Sequence, residues 1–112
     1  MRKTLTFLLS LLVGFSFAAN HQVSVGSNFF SPSSLSINVG DTVTWSNTGG
    51  FHNVDGRTST YASNPASFYS GSASSASWTF SHQFTVAGTY NYECTPHAGL
   101  GMTGTVTVTA ST

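Results

Sequence analysis

After its first eighteen residues this chain has no stretch with the three-to-four-residue apolar spacing that an amphipathic helix requires. It has alternation instead. Residues 22–25, 35–39 and 42–45 each alternate polar and apolar side chains, with Gly40-Asp41 as the turn between the last two. Trp78, Phe80, Phe84 and Val86 share one parity, Ala87-Gly88 breaks the chain before 89–94, and Val106 and Val108 share a face of 105–109. Short strands at this spacing, separated by Gly and Pro, predict an all-β sandwich. Residues 56–77, rich in Ser, Ala, Asn and Tyr, read as a long surface excursion across one edge. No internal repeat or second domain is evident.

The first residues read as an export signal. Arg2 and Lys3 precede an apolar run over 5–17, and Ser16-Phe17-Ala18 puts small residues at −3 and −1, so cleavage is expected after Ala18. Ser10 and Gly14 interrupt a run already short for a membrane span. A lipid anchor would need a Cys at the cut, and the only Cys is at 94. The expectation is a signal peptide over 1–18, one domain over 19–112, no membrane anchor, and a periplasmic or secreted location.

Beyond the leader the charged residues are Arg57, Asp41, Asp55 and Glu93, a net charge of −2. Nothing here forms a basic patch for nucleic acid or a charge run that would steer a strongly charged partner. A lone Cys in an exported chain has no internal disulfide partner, and a bare thiol is a liability there unless a metal holds it.

Cys94, His97 and Met102 fall within nine residues, in Tyr92-Glu93-Cys94-Thr95-Pro96-His97-Ala98-Gly99-Leu100-Gly101-Met102, and His52 lies 42 residues before Cys94. Two imidazoles, a thiolate and a thioether suit an ion that accepts both nitrogen and soft sulfur. Two His and one Cys with a weak axial Met is the described pattern of a blue-copper site. His52 is expected on a strand neighbouring the Cys94 strand. Each residue has a plainer reading: Cys94 as a small buried hydrophobe, His52 as a loop histidine, Met102 as core filler. The four together favour copper. A Cys94 nucleophile with a His base lacks an orienting acid and an oxyanion-hole motif, and structural zinc is normally closed by ligands other than Met. His82, on the Phe80/Phe84 parity, reads as structural, and Trp45 and Trp78 as core or edge aromatics.

The run from Tyr90 to Gly104 closely resembles the cupredoxins, in particular the plastocyanin and pseudoazurin branch, and the resemblance extends over the whole mature chain. It implies a Greek-key β-sandwich of seven to eight strands with one type 1 copper held by His52, Cys94, His97 and Met102. It implies a small one-electron carrier rather than an enzyme, monomeric, with redox proteins as donor and acceptor. These would dock transiently where His97 meets solvent among Pro96, Ala98, Gly99 and Leu100. Asn53 would tie the His strand to the Cys strand. The alternative is a copper-binding protein for delivery or storage without a redox role. Two positions depart from the family: Glu93 stands where plant plastocyanins have a Tyr beside acidic patches, and Phe51 where Pro often precedes the first His.

A cut after Ala18 would start the mature chain Ala19-Asn20-His21. A free amine, two amides and an imidazole at the third position can form a square-planar nitrogen set for copper(II), so His21 is a candidate for a second site.

Overall fold

The computed structural model describes residues 17–110; the charged start and nearly all of the apolar run of the expected leader lie outside the described residues. Seven strands form: β1 (Asn20–Gly26), β2 (Phe29–Ser31), β3 (Ser34–Asn38), β4 (Thr42–Asn47), β5 (Thr79–Gln83), β6 (Gly88–Glu93) and β7 (Thr103–Thr109). A short 3-10 helix covers Thr95–Leu100. One sheet has the order β2-β1-β4-β5 and the other β3-β7-β6. The pairs β1–β4 and β3–β7 are parallel, so those neighbours are joined by crossings between sheets rather than by hairpins. The Gly40-Asp41 turn is such a corner, carrying the chain from β3 in one sheet to β4 in the other.

Alternation decides which faces are buried. Val23 and Val25, Val43 and Trp45, Tyr90 and Tyr92, and Val106 and Val108 all point into one core. Burying each such side chain stabilises the fold by roughly 1.5–3 kcal/mol. Trp45 is the hub. Its ring stacks on Phe80 at 5.6 Å and on Phe68 at 5.7 Å, and meets Tyr92 edge-on at 5.3 Å.

Two expectations need correction. The stretch 56–77 is not confined to the surface, because Phe68 and Asn64 are buried. Asn64 Nδ2 donates to the Gly56 and Asn91 carbonyls, and Asn64 Oδ1 accepts the Asn91 N–H, which pins the excursion to β6. Val86 leaves the parity of Phe80 and Phe84 and is 47% exposed. β5 ends at Gln83, and two-residue periodicity lasts only while the strand does.

Candidate metal centre

The site grows from the end of the β6–β7 pair. Glu93 opposite Thr103 is the last rung; Cys94 follows β6 and Met102 precedes β7. The Cys94 N–H donates to the Met102 carbonyl at 3.0 Å, so the two backbones stay together where the sheet ends. Between them Pro96 sits in the first turn of the 3-10 helix, where its missing N–H costs nothing. The His97 N–H donates to the Cys94 carbonyl at 3.1 Å. Gly101 ends the turn at φ 87°, a left-handed conformation natural to glycine.

His52 reaches the same place by another route than a strand. It lies in irregular chain after β4, bridged to Ser74 by His52 N–H to Ser74 O at 3.2 Å and Ser74 N–H to His52 O at 3.0 Å. A run such as Thr48-Gly49-Gly50-Phe51 gives no alternation, so the expected strand placement does not hold. Asn47 clamps this segment from inside the core. Its Nδ2 donates to the Gly50 and Ala76 carbonyls at 3.0 and 2.9 Å, which compensates the burial of its amide. Gly50 is glycine because a Cβ there would stand 2.5 Å from His52 Nε2.

Cys94 Sγ lies 3.7 Å from His52 Nδ1 and 3.5 Å from His97 Nδ1. The three donor atoms fall within 4.8 Å of one another. The imidazoles meet at 61°, centroids 5.0 Å apart. Cys94, His52 and Met102 are buried, whereas His97 is partly exposed. Burial pushes the Cys94 thiol up, opposed by backbone hydrogen bonds from Asn53 and His97. Burial, then the His97 imidazole, pushes His52 down, while a hydrogen bond to the Gly49 backbone works the other way. Both shifts favour the neutral form of the donor.

That donor set fits copper. The cluster contains nitrogen and sulfur and no carboxylate, which disfavours magnesium and calcium. The structure brings together His52, Cys94 and His97, buries Met102 beside them, and leaves the other two histidines elsewhere. His82 sits on β5 between Phe68 and Phe84, centroids 5.3 and 4.7 Å away, and burial lowers its pKa. His21 lies in β1 paired with Val43, its Nε2 3.0 Å from Asp41 Oδ2. A backbone extended in a ladder does not wrap its amides and imidazole around one ion, so the square-planar set is not assembled here.

Asn53 meets its expected role, binding the loop after Cys94 through Thr95. Asn47, Gly50 and Ser74 were missed; the Gly49-Gly50 pair shortly before His52 was the available signal.

A two-sheet sandwich that gathers two imidazoles and a thiolate where one sheet ends defines the cupredoxin class. A family model described as copper binding proteins, plastocyanin/azurin family, matches residues 18–109. The chain is 40% identical over 87 residues to a plastocyanin of Scenedesmus fuscus, covering 74% of this chain and 89% of that one. It is 37% identical over 108 residues to a plastocyanin of Prochlorothrix hollandica, covering 81% and 74%. A solved structure of an oxidised amicyanin mutant superposes with a TM-score of 0.66 at 33% identity, covering 80% of this chain and 81% of that one. The chain belongs to the plastocyanin/azurin family of copper-binding proteins.

Proposed function

We propose that this protein is an exported, monomeric one-electron carrier. It holds a single type 1 copper with His52 Nδ1, Cys94 Sγ, His97 Nδ1 and the Met102 thioether. The observation that carries the reading is the asymmetry of the cluster: two donors buried, and the third, His97, partly exposed beside the apolar surface of Phe51 and Leu100, 53% and 70% exposed. Copper, when bound, supplies a one-electron couple between its two oxidation states. Cys94 must surrender its thiol proton to bind it. The sandwich holds both sulfur residues rigid, and the His97 ring edge is the port through which a docked partner communicates with the site.

Docking would be brief and apolar. Arg57 is occupied by Asp55, with Nε to Oδ1 at 3.0 Å and Nη2 to Oδ2 at 3.2 Å. Glu93 accepts the Tyr61 hydroxyl at 2.8 Å, and Asp41 faces His21. Little unpaired charge remains among the described residues to steer an encounter. In this reading donor and acceptor are redox proteins, and the chain makes or breaks no bond of a substrate.

Visible spectroscopy with protein-film voltammetry tests it. The oxidised protein should show an intense sulfur-to-copper charge-transfer band that Cys94→Ser abolishes, and a reversible one-electron wave. A band without reversible redox, with copper passing readily to a chelator, would favour delivery or storage. Absence of the band would remove the copper assignment altogether.

A further inference from the structure

The other end of β1 carries an unassigned arrangement. The Ala19 nitrogen lies 2.9 Å from Asp41 Oδ1. Asp41 Oδ2 accepts the Asn38 N–H at 3.1 Å and faces His21 Nε2 at 3.0 Å. The Asp41 residue is only 4% exposed, a carboxylate set into the corner between β3 and β4. Contact with the sheet begins at this point in the chain: the Thr42 N–H donates to the Ala19 carbonyl at 3.0 Å, and register with β4 starts at Asn20 opposite Thr42. Phe17 is 90% exposed and Ala18 is exposed as well. The bond after Ala18 therefore stands at the step from open chain to fixed strand.

We infer that Asp41 is the binding site for the chain's own processed amino terminus, with the Ala19 ammonium as its ligand. The inference rests on the reading of an exported chain cut after Ala18. Hydrolysis of that bond consumes one water. The new carboxylate leaves with the leader, and the new amine on Ala19 takes up a proton at neutral pH. A neutral amide contact to Asp41 becomes a charge-assisted one, which is shorter and stronger. The carboxylate is already prepared for it: the Ala19 amide, then His21 and the Asn38 N–H, hold Asp41 at about 2, so it is ionised at neutral pH, where the amine is charged. Leader removal thereby does more than release the domain. It completes the corner between the two sheets and fixes the start of β1, the strand that pairs in parallel with β4. The same ion pair occupies the amine that a copper(II) set at His21 would need.

The test uses the copper-loaded chain 19–112 in two forms, one beginning at Ala19 and one carrying a single added Gly before it, which displaces the amine by one residue, about 3.8 Å. The native form should melt a few degrees higher. Its α-amine should titrate above its usual value of about 8 and acylate slowly at neutral pH. In Asp41→Asn the melting difference between the two forms should vanish. Equal melting temperatures in the unsubstituted background, or an α-amine titrating at its ordinary value, would overturn the inference. Amine titration needs no variant, so it decides even if Asp41→Asn does not fold. Mass spectrometry of the exported protein tests the underlying reading separately: a terminus other than Ala19 removes the cut, whatever the amine does in the defined chain.

Discussion

Asn53 and Thr95, 42 residues apart, share two hydrogen bonds: Asn53 Oδ1 accepts the Thr95 N–H at 2.7 Å, and Asn53 Nδ2 donates to Thr95 Oγ1 at 3.0 Å. One follows His52 and the other follows Cys94, so the pair fixes the separation of two donor residues from outside the donor set. Asn53 is buried and also donates to the Gly71 carbonyl at 3.1 Å. Asn53→Ala should cost about 2–3 kcal/mol in denaturant unfolding of the metal-free protein, because buried partners are left unpaired. It should also broaden the charge-transfer band and weaken copper retention against a chelator. Unchanged retention would mean that the loop keeps its place without this pair.

In the proposed site Met102, buried with its backbone against Cys94, would be the weak fourth donor. Met102→Gln should keep copper and lower the reduction potential, since a harder oxygen favours copper(II), and Met102→Leu should raise it. Voltammetry of the two variants checks this. Shifts in the same direction would take Met102 out of the axial position.

Gly104 faces the Tyr92 ring across the β6–β7 ladder, and a Cβ there would collide with that ring. Gly104→Ala should cost about 1–3 kcal/mol through overpacking, read from the denaturant midpoint. Tyr92 stands two residues before Cys94, so the absorption band should shift with it. A fully stable variant with an unmoved band would show that the ring can give way.

Tyr61 and Tyr92 are both pushed up to about 12, each chiefly by burial, with the Glu93 carboxylate adding to the effect at Tyr61. A folded phenol that keeps its proton beyond pH 10 stabilises the fold below that value. The contribution then disappears as pH climbs from 10 through 12. Stability should accordingly fall on the alkaline side, and Tyr61→Phe should soften the decline while losing the 2.8 Å hydrogen bond to Glu93 at neutral pH. Chemical denaturation between pH 7 and 12 measures both effects.

Electron exchange with a redox partner should depend little on ionic strength, since Arg57 and Asp55 pair with each other, Asp41 is buried, and the net charge beyond the leader is only −2. Leu100→Lys, at a position 70% exposed beside His97, should slow exchange more than Arg57→Glu does. Stopped-flow rates across a salt series decide it; a steep salt slope would move the docking face.

Much of this molecule was legible because its strands bury every second residue. Val23 and Val25, Val43 and Trp45, Val106 and Val108 could be assigned inward by parity alone. The gathered residues His52, Cys94 and His97 were legible through chemistry, since few ions suit imidazole and thiolate together. What escaped depends on contacts distant in sequence. β2 is three residues, Phe29–Ser31, too short for a period to declare itself. Phe68 lies in a Ser- and Ala-rich stretch and enters the core because Trp45 and Phe84 make room for it. Asn47 occupies an inward position of β4, and only the carbonyls of Gly50 and Ala76 explain a polar residue there.

The separate origin of His52 has a topological consequence. Cys94 and His97 sit within one loop, but a metal that joins His52 to Cys94 ties together positions 42 residues apart and closes a ring containing the irregular stretch from 52 to 78 together with β5 and β6. A cross-link around a ring of that size removes chain entropy worth about 4 kcal/mol from the unfolded state by the argument used for disulfides. In a chain whose lone cysteine cannot form a bridge of its own, the redox ion would double as its rivet. Stripping it should open the serine-rich stretch to proteases before either sheet gives way.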